Sequence, residues 1–199
     1  MELITKEIQW KASDHKPIVL GLLSDLQFSG DDSEIALTSL KEYIDKCQSL
    51  GAYYIGLGDA IDLMSPSNRA RFAAAALYDT TNNIVDRAAQ GLVHDLYERV
   101  LKPCRGRIIC MTSGHHFHVY QAGHTTDMEL CQLLQTQFAG TSAFIRLLIK
   151  EGSQRRGTVT LFVHHGEGGG QKAAAPLNKL ENLAVHFDAD ILVCGHMSK

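Results

Sequence analysis

Five apolar runs in this chain each break abruptly into Gly, Asp or His. PIVLGLLS leads into Asp25, AYYIGLG into Asp59, RIICMTSG into His115 and His116, GTVTLFV into His164 and His165, and DILVCG into His196. Runs of four to eight apolar residues, rich in β-branched types, read as buried strands. Five strands therefore deliver carboxylates and imidazoles at their carboxyl ends, where open α/β sheets carry their chemistry. That pattern confines the chain to an α/β arrangement in which those strand ends meet.

The intervening segments supply the helices. Ile35, Leu37, Leu40, Ile44 and Cys47 recur at helical spacing after Ser33, a candidate cap, and Gly51 ends the helix before the strand at 52–57. With the strand at 18–24 this makes a βαβ unit. The stretch from about 63 to 106 reads as a helical insertion. Its first part, SPSNRARFAAAALYD, predicts a short helix, and Ile84, Ala88, Leu92, Leu96 and Val100 predict an apolar stripe closed by Pro103. Beyond the strand at 107–113, residues 125–138 read as a helix through Met128, Cys131, Leu134 and Phe138. FIRLLIK and TVTLFVHH read as two strands joined across EGSQRRG, a pairing that would make the sheet mixed. PLNKLENLAVHF, with Pro176 in its first turn, reads as the last helix before DILVCG.

At 199 residues and 45% hydrophobic, the chain suffices for one substantial core, read as a single domain over 1–199. No segment reaches the roughly 20 apolar residues of a membrane span. The opening MELITKEIQW lacks the order of a secretory signal. The five cysteines are odd in number, scattered and without a CxxC pair, which fits a reduced, cytoplasmic setting. A net charge of −3 gives no global footprint for nucleic acid or anionic membrane. The local basic clusters (Arg69 and Arg71; Lys102, Arg105 and Arg107; Arg155 and Arg156) read as solvated faces.

Seven of the ten histidines (115, 116, 118, 124, 164, 165 and 196) lie in or near the motif segments, as a metal site requires. Mixed N/O ligand sets on separate strand ends accept Mn, Fe, Ni or Zn. A lone Asp before a Gly-rich turn is commonly only a turn former; five such segments in order argue for more. His164 and His165 alternate faces on a strand, so one of them can point at the site, and His165 is chosen. His118 reads as a residue of the surface or behind the ligands, and His124 as a helix start. His15, His94 and His186 read as structural. The glycines at 168–170 lack the Lys and Ser/Thr of a P-loop and read as a turn.

The ordered segments SDLQF, GDAID, GHHFH, HHGEGGG and GHMS resemble the calcineurin-like metallophosphoesterases, whose pattern is DxH, GDxxD, GNH[DE], a later His before Gly, and GHxH. The resemblance spans residues 25–198, and the run from SAFIRLLIK to DADILVCGH resembles the phage-associated branch. It implies a two-sheet αββα sandwich of mixed sheets flanked by helices; because the family usually continues with strands beyond GHxH, the expectation is either a sheet without those last strands or a sequence that is a fragment of a longer chain. It implies Asp25 as a ligand of a first metal, Asp59 as the bridging carboxylate, and Asp62 as its support. His115 stands where the family has Asn, a second-metal ligand. His116 matches the His that stabilises the phosphate or protonates the leaving group, and His165 and His196 match the later second-metal ligands.

The departures cluster. Gln27 and Ser198 replace two imidazoles of the first metal, and Phe117 replaces the acid that would orient His116. The second set, Asp59, His115, His165 and His196, is intact if imidazole substitutes for the amide. The expectation is one firm divalent ion, Mn before Fe, Ni or Zn, and a weak first site at Asp25 and Gln27. The implied function is a metal-dependent phosphohydrolase. A metal-activated hydroxide would attack a phosphodiester of a nucleotide or nucleic acid, His116 would assist the leaving group, and Asp62, supporting Asp59, is counted with it among the catalytic residues. The competing expectation is a binding or scaffold protein on the same fold.

Overall fold

Within AYYIGLG, Tyr54 and Ile55 are both fully buried but join different cores, so a single strand separates the layers of the molecule. The computed structural model describes residues 1–14, 16–31, 37–166 and 175–196. In chain order the elements are β1 (Glu2–Gln9), β2 (Leu20–Leu23), α1 (Leu37–Ser49), β3 (Tyr53–Gly56), α2 (Pro66–Ala74), α3 (Asp79–Leu96), β4 (Ile108–Met111), α4 (Thr126–Leu134), β5 (Gln137–Phe138), β6 (Ser142–Glu151), β7 (Gln154–His164), α5 (Ala175–His186) and β8 (Ile191–Cys194). The chain is thus α/β, as expected. Ser33, Ile35, His15, the glycines at 168–170 and Ser198 lie outside the described residues.

Two four-stranded sheets result. One runs β2-β3-β4-β5, all parallel, and the other β1-β6-β7-β8, with β6 and β7 antiparallel between two parallel pairings. The second sheet is mixed for the reason foreseen: FIRLLIK and TVTLFVHH form a hairpin. One core lies between the parallel sheet and the helices, where Leu23, Tyr54 and Met111 meet Ile44, Val93, Leu96 and Leu134. The other lies between the sheets, where Ile55, Leu57 and Ile109 meet Ile4, Ile145, Leu147, Leu161 and Val163. On the far face of the mixed sheet, Phe187 just after α5 stacks on Phe162 with centroids 4.1 Å apart. A parallel strand buried on both faces reads as a continuous apolar run, which explains why β3 and β4 are so legible.

Three local expectations need correction. The insertion is helical, but its buried stripe is Ala89, Val93, Leu96 and Val100, while Ile84 is 66% exposed. A stripe of strict fourth residues advances 400° per step, so from 84 to 100 it drifts about 160° around the helix; the 4-3-4 spacing stays on one face. The helix expected over 125–138 stops at Leu134. Thr125 caps its start, accepting from the Met128 N–H at 3.2 Å, and Gln135 turns left-handed with φ 55°. Phe138 then pairs with Met111 in β5. Finally, β1 is a strand that the reading of the N-terminus passed over, because only Ile4 and Ile8 of its eight residues are buried.

The basic residues are locally engaged. Lys102 pairs with Glu98 at 2.7 Å and Arg156 with Glu151 at 2.6 Å. Arg107 donates to the carbonyls of Ala52, at 2.9 Å, and Gly51, latching the entry of β3. Among the described residues, no helix is long and apolar enough to cross a membrane.

Gly91 sits in the exposed part of α3 with nothing within 4 Å of where a Cβ would stand. Gly91→Ala is expected to stabilise the protein by about 0.5–1 kcal/mol through helix propensity alone. Urea titration would show it as a higher midpoint at unchanged slope; a lower midpoint would mean that α3 is packed differently.

Candidate metal centre

The strand ends converge through tight turns. Asp25 follows β2, Asp59 follows β3, His115 follows β4, His165 follows β7 and His196 follows β8. Asp25, Gln27, Asp59 and His196 all adopt left-handed backbone, with φ between 47° and 52°. Such residues reverse the chain at once and set the next side chain back over the sheet end, at about 1–2 kcal/mol each. The turns after β2 and β3 run side by side: Gln27 N–H donates to Asp59 O at 2.9 Å and Phe28 N–H to Ala60 O at 3.1 Å. The turns after β3 and β4 touch. A Cβ on Gly58, whose φ is 89°, would stand 2.6 Å from the Gly114 Cα, and one on Gly114 would strike the Asp59 carboxylate.

That contact delivers the Asp59 carboxylate, 1% exposed, to the amides of the next loop. Oδ1 accepts from the N–H groups of His115 and of His116, the latter at 2.9 Å. Oδ2 lies 3.1 Å from His165 Nε2. Both atoms are buried, and among the described residues neither has a hydrogen-bond partner. His165 donates through Nδ1 to the carbonyl of Leu57, which places the lone pair on Nε2. Two lone-pair atoms thus face each other in a dry site, an arrangement that calls for a positive charge between them.

Two more imidazoles close around the same point. The His115, His165 and His196 rings have centroids 4.7 to 4.9 Å apart, and His196 Nδ1 is 3.6 Å from Asp59 Oδ2. One ligand atom from each of Asp59, His115, His165 and His196 lies within 4.8 Å of all the others. This buried group could hold a metal ion, and the unpartnered Asp59 Oδ2 and His165 Nε2 are the atoms that fit one best. Three nitrogens and an oxygen form a borderline donor set.

The titrations follow the geometry. Burial opposes ionisation of Asp59, but the His165 ring beside it and the hydrogen bonds from the His116 and His115 amides overcome it and hold the carboxyl far below its ordinary range. Burial likewise opposes a charge on His165, and the Asp59 carboxylate reverses that, raising its pKa. His115 is lowered, first by burial and then by His165. Behind the loop, burial lifts Asp127 to about 6, although its Oδ2 accepts from the Gly114 N–H at 3.3 Å.

The remaining residues singled out in the sequence surround this group. Asp25 braces His196: its Oδ2 accepts the His196 N–H at 2.8 Å and its Oδ1 lies 3.3 Å from the ring Nδ1. Gln27 enters through its backbone. Asp62 does not back Asp59 as expected; its Oδ1 lies 2.7 Å from His116 Nδ1. The carboxylate beside His116 thus comes from the GDAID turn, and the position after His116 is held by Phe117. His164 turns aside, its Nδ1 accepting the Gly166 N–H at 2.8 Å and its ring stacking on Phe162. His118 is not at the surface: it is 3% exposed and its Nε2 lies 2.6 Å from Asp86 Oδ1. His124 lies against the ring of Tyr120. Arg69, expected on a solvated face, instead clamps the ligand loop with donations to the carbonyls of Met64, His115 and Phe117. Its partners are backbone carbonyls, which leave no trace in a sequence.

No protein-family model, curated protein or solved structure matches this chain.

Asp127 yields a pH-dependent expectation. Its carboxyl titrates near 3.8 when unfolded and at about 6 when folded, so the native state binds the extra proton between them. Stability attributable to it is present at low pH, falls as pH rises through that window and stays lowered above it. Asp127→Asn retains an acceptor for Gly114. In chelator-treated protein it is expected to gain about 2–3 kcal/mol at pH 8 and almost nothing at pH 3.5. Equal urea midpoints for the two proteins at pH 8 would refute the raised titration.

Proposed function

We propose that this protein is a divalent-metal-dependent phosphohydrolase that cleaves a phosphodiester of a nucleotide or nucleic acid, using one ion held by Asp59, His115, His165 and His196. The observation that carries this reading is the buried, unpartnered confrontation of Asp59 Oδ2 with His165 Nε2, flanked by His115 and His196 and lying beside the His116–Asp62 pair. The order of motif segments supplies the reaction class. Manganese is the first candidate, with iron, nickel or zinc compatible with the same donors.

A bound divalent ion supplies charge neutralisation for the phosphate and activation of water at neutral pH. The chain does the rest. Asp59 fixes the ligand loop through Oδ1 and leaves Oδ2 for the ion. Leu57 O holds the His165 tautomer, and Asp25 holds His196. Asp62 engages Nδ1 of His116, leaving Nε2 to carry a proton to the departing oxygen. Gln27 stands where a first metal would need its second imidazole, which favours a single-ion enzyme over a two-ion one.

Metal analysis of protein dialysed against Mn²⁺ is expected to give one ion per chain, and Asp59→Asn or His165→Ala to retain none. With Mn²⁺ the protein is expected to hydrolyse bis(p-nitrophenyl) phosphate. His116→Asn should keep the ion while losing about 10²–10⁴ in kcat, the range typical of a general acid. Failure to retain any of Mn²⁺, Fe²⁺, Ni²⁺ or Zn²⁺ would sink the metalloenzyme and leave a binding protein. A retained ion without hydrolysis would sink the esterase alone.

A further inference from the structure

The loop from His115 to His118 carries a candidate ligand and a candidate acid, yet its own residues do little to hold it. Its first two amides are bound by Asp59 Oδ1, and the His118 amide donates to Thr126 Oγ1 at 3.1 Å. Its carbonyl side is held from helix α2. Arg69 Nη1 donates to His115 O and, at 3.0 Å, to Phe117 O, and also to Met64 O at 2.8 Å. The guanidinium lies 4.0 Å from the centroid of the Phe117 ring. One cation thus grips the carbonyls on both sides of His116 and the ring beyond it.

The helix that presents Arg69 is itself fixed. Ser65 caps α2 by accepting the Asn68 N–H at 3.3 Å, and Pro66 occupies its first turn. Arg69 comes one turn later, which returns its side chain toward the loop that Asp62 engages from the preceding turn. All three carbonyls face the same nitrogen, Nη1, whose two N–H bonds are shared among them, while the planar guanidinium also lies over the Phe117 ring. A lysine could supply donors to the carbonyls but not the planar contact with the ring.

We propose that Arg69 is a positioning residue for the metal centre. By clamping the His115 and Phe117 carbonyls, it sets the His115 ring on the ion and the His116 ring against Asp62, and so ties metal capture to the docking of α2. The consequence for the ion rests on the four-ligand reading above; the consequence for the loop does not. Groups that orient metal ligands typically contribute 10- to 100-fold to metal affinity.

The experiment uses the full chain and Co²⁺ as a spectroscopic probe, with Arg69→Met, Arg69→Lys and Arg107→Met. Arg107 is the matched control, a carbonyl clamp at the opposite end of β3. Two readouts are taken: Co²⁺ affinity with its visible spectrum, and exchange of the His115 and His116 amides in chelator-treated protein. Arg69→Met is expected to bind Co²⁺ at least tenfold more weakly with an altered spectrum, and to exchange those amides at least tenfold faster. Arg69→Lys should recover part of the loss and Arg107→Met should match wild type. Unchanged affinity, spectrum and exchange in Arg69→Met would overturn the proposal, as would equal losses in Arg107→Met. Faster exchange in Arg69→Met, when wild type itself binds no Co²⁺, would support the clamp and refute the metal centre.

Discussion

The Asp59 carboxylate divides its two oxygens between incompatible tasks, and the arrangement around it depends on that division. Oδ1 is spent on backbone amides of the neighbouring loop, so the loop cannot move without breaking charge-assisted hydrogen bonds in a buried place. Oδ2 is left facing an imidazole lone pair. A buried polar atom without a partner costs about 1–3 kcal/mol, and here two are opposed. A fold that keeps such a pair has to make its stability elsewhere, and the two cores on either face of β3 are where it does so.

Access to that geometry is a backbone problem before it is a side-chain one. Gly58 and Gly114 allow two turns to cross at a separation that a single methyl group would prevent. The left-handed residues Asp25, Asp59 and His196 reverse the chain two or three residues beyond the strand end. Aspartate tolerates that conformation better than most residues. The same property makes it a turn former, so one choice of residue serves both the turn and the site, as a brace for His196 at Asp25 and as a candidate ligand at Asp59. The distinction drawn in the sequence between a turn aspartate and a ligand aspartate is therefore partly artificial.

Strands β2, β3, β4, β7 and β8 were legible because they are short apolar runs ended by polar residues, and the four clustered residues that could hold a metal because they occupy those ends. Less legible were features whose determinant is nonlocal. β1 is an edge strand with two buried residues and little contrast. The α3 stripe was misplaced because a fourth-residue spacing resembles a helical face over two turns but not over four. The C-terminal end of α4 depends on Gln135 adopting a left-handed turn, which glutamine seldom signals. Arg69 and Asp62 could not have been assigned from types and spacing, since one binds backbone carbonyls and the other binds a histidine from a different strand.

The carboxylate beside His116 comes from a neighbouring turn and not from the next residue in the chain. What His116 requires is a carboxylate at Nδ1, not a carboxylate at the next position in the chain. Asp62 meets that requirement from the turn after β3, because the Gly58–Gly114 contact has already brought the two turns together. The ring of Phe117 receives the guanidinium of Arg69. The contact between Gly58 and Gly114 thus places both Asp59 and Asp62, and a methyl group at either glycine would displace the turns that carry them.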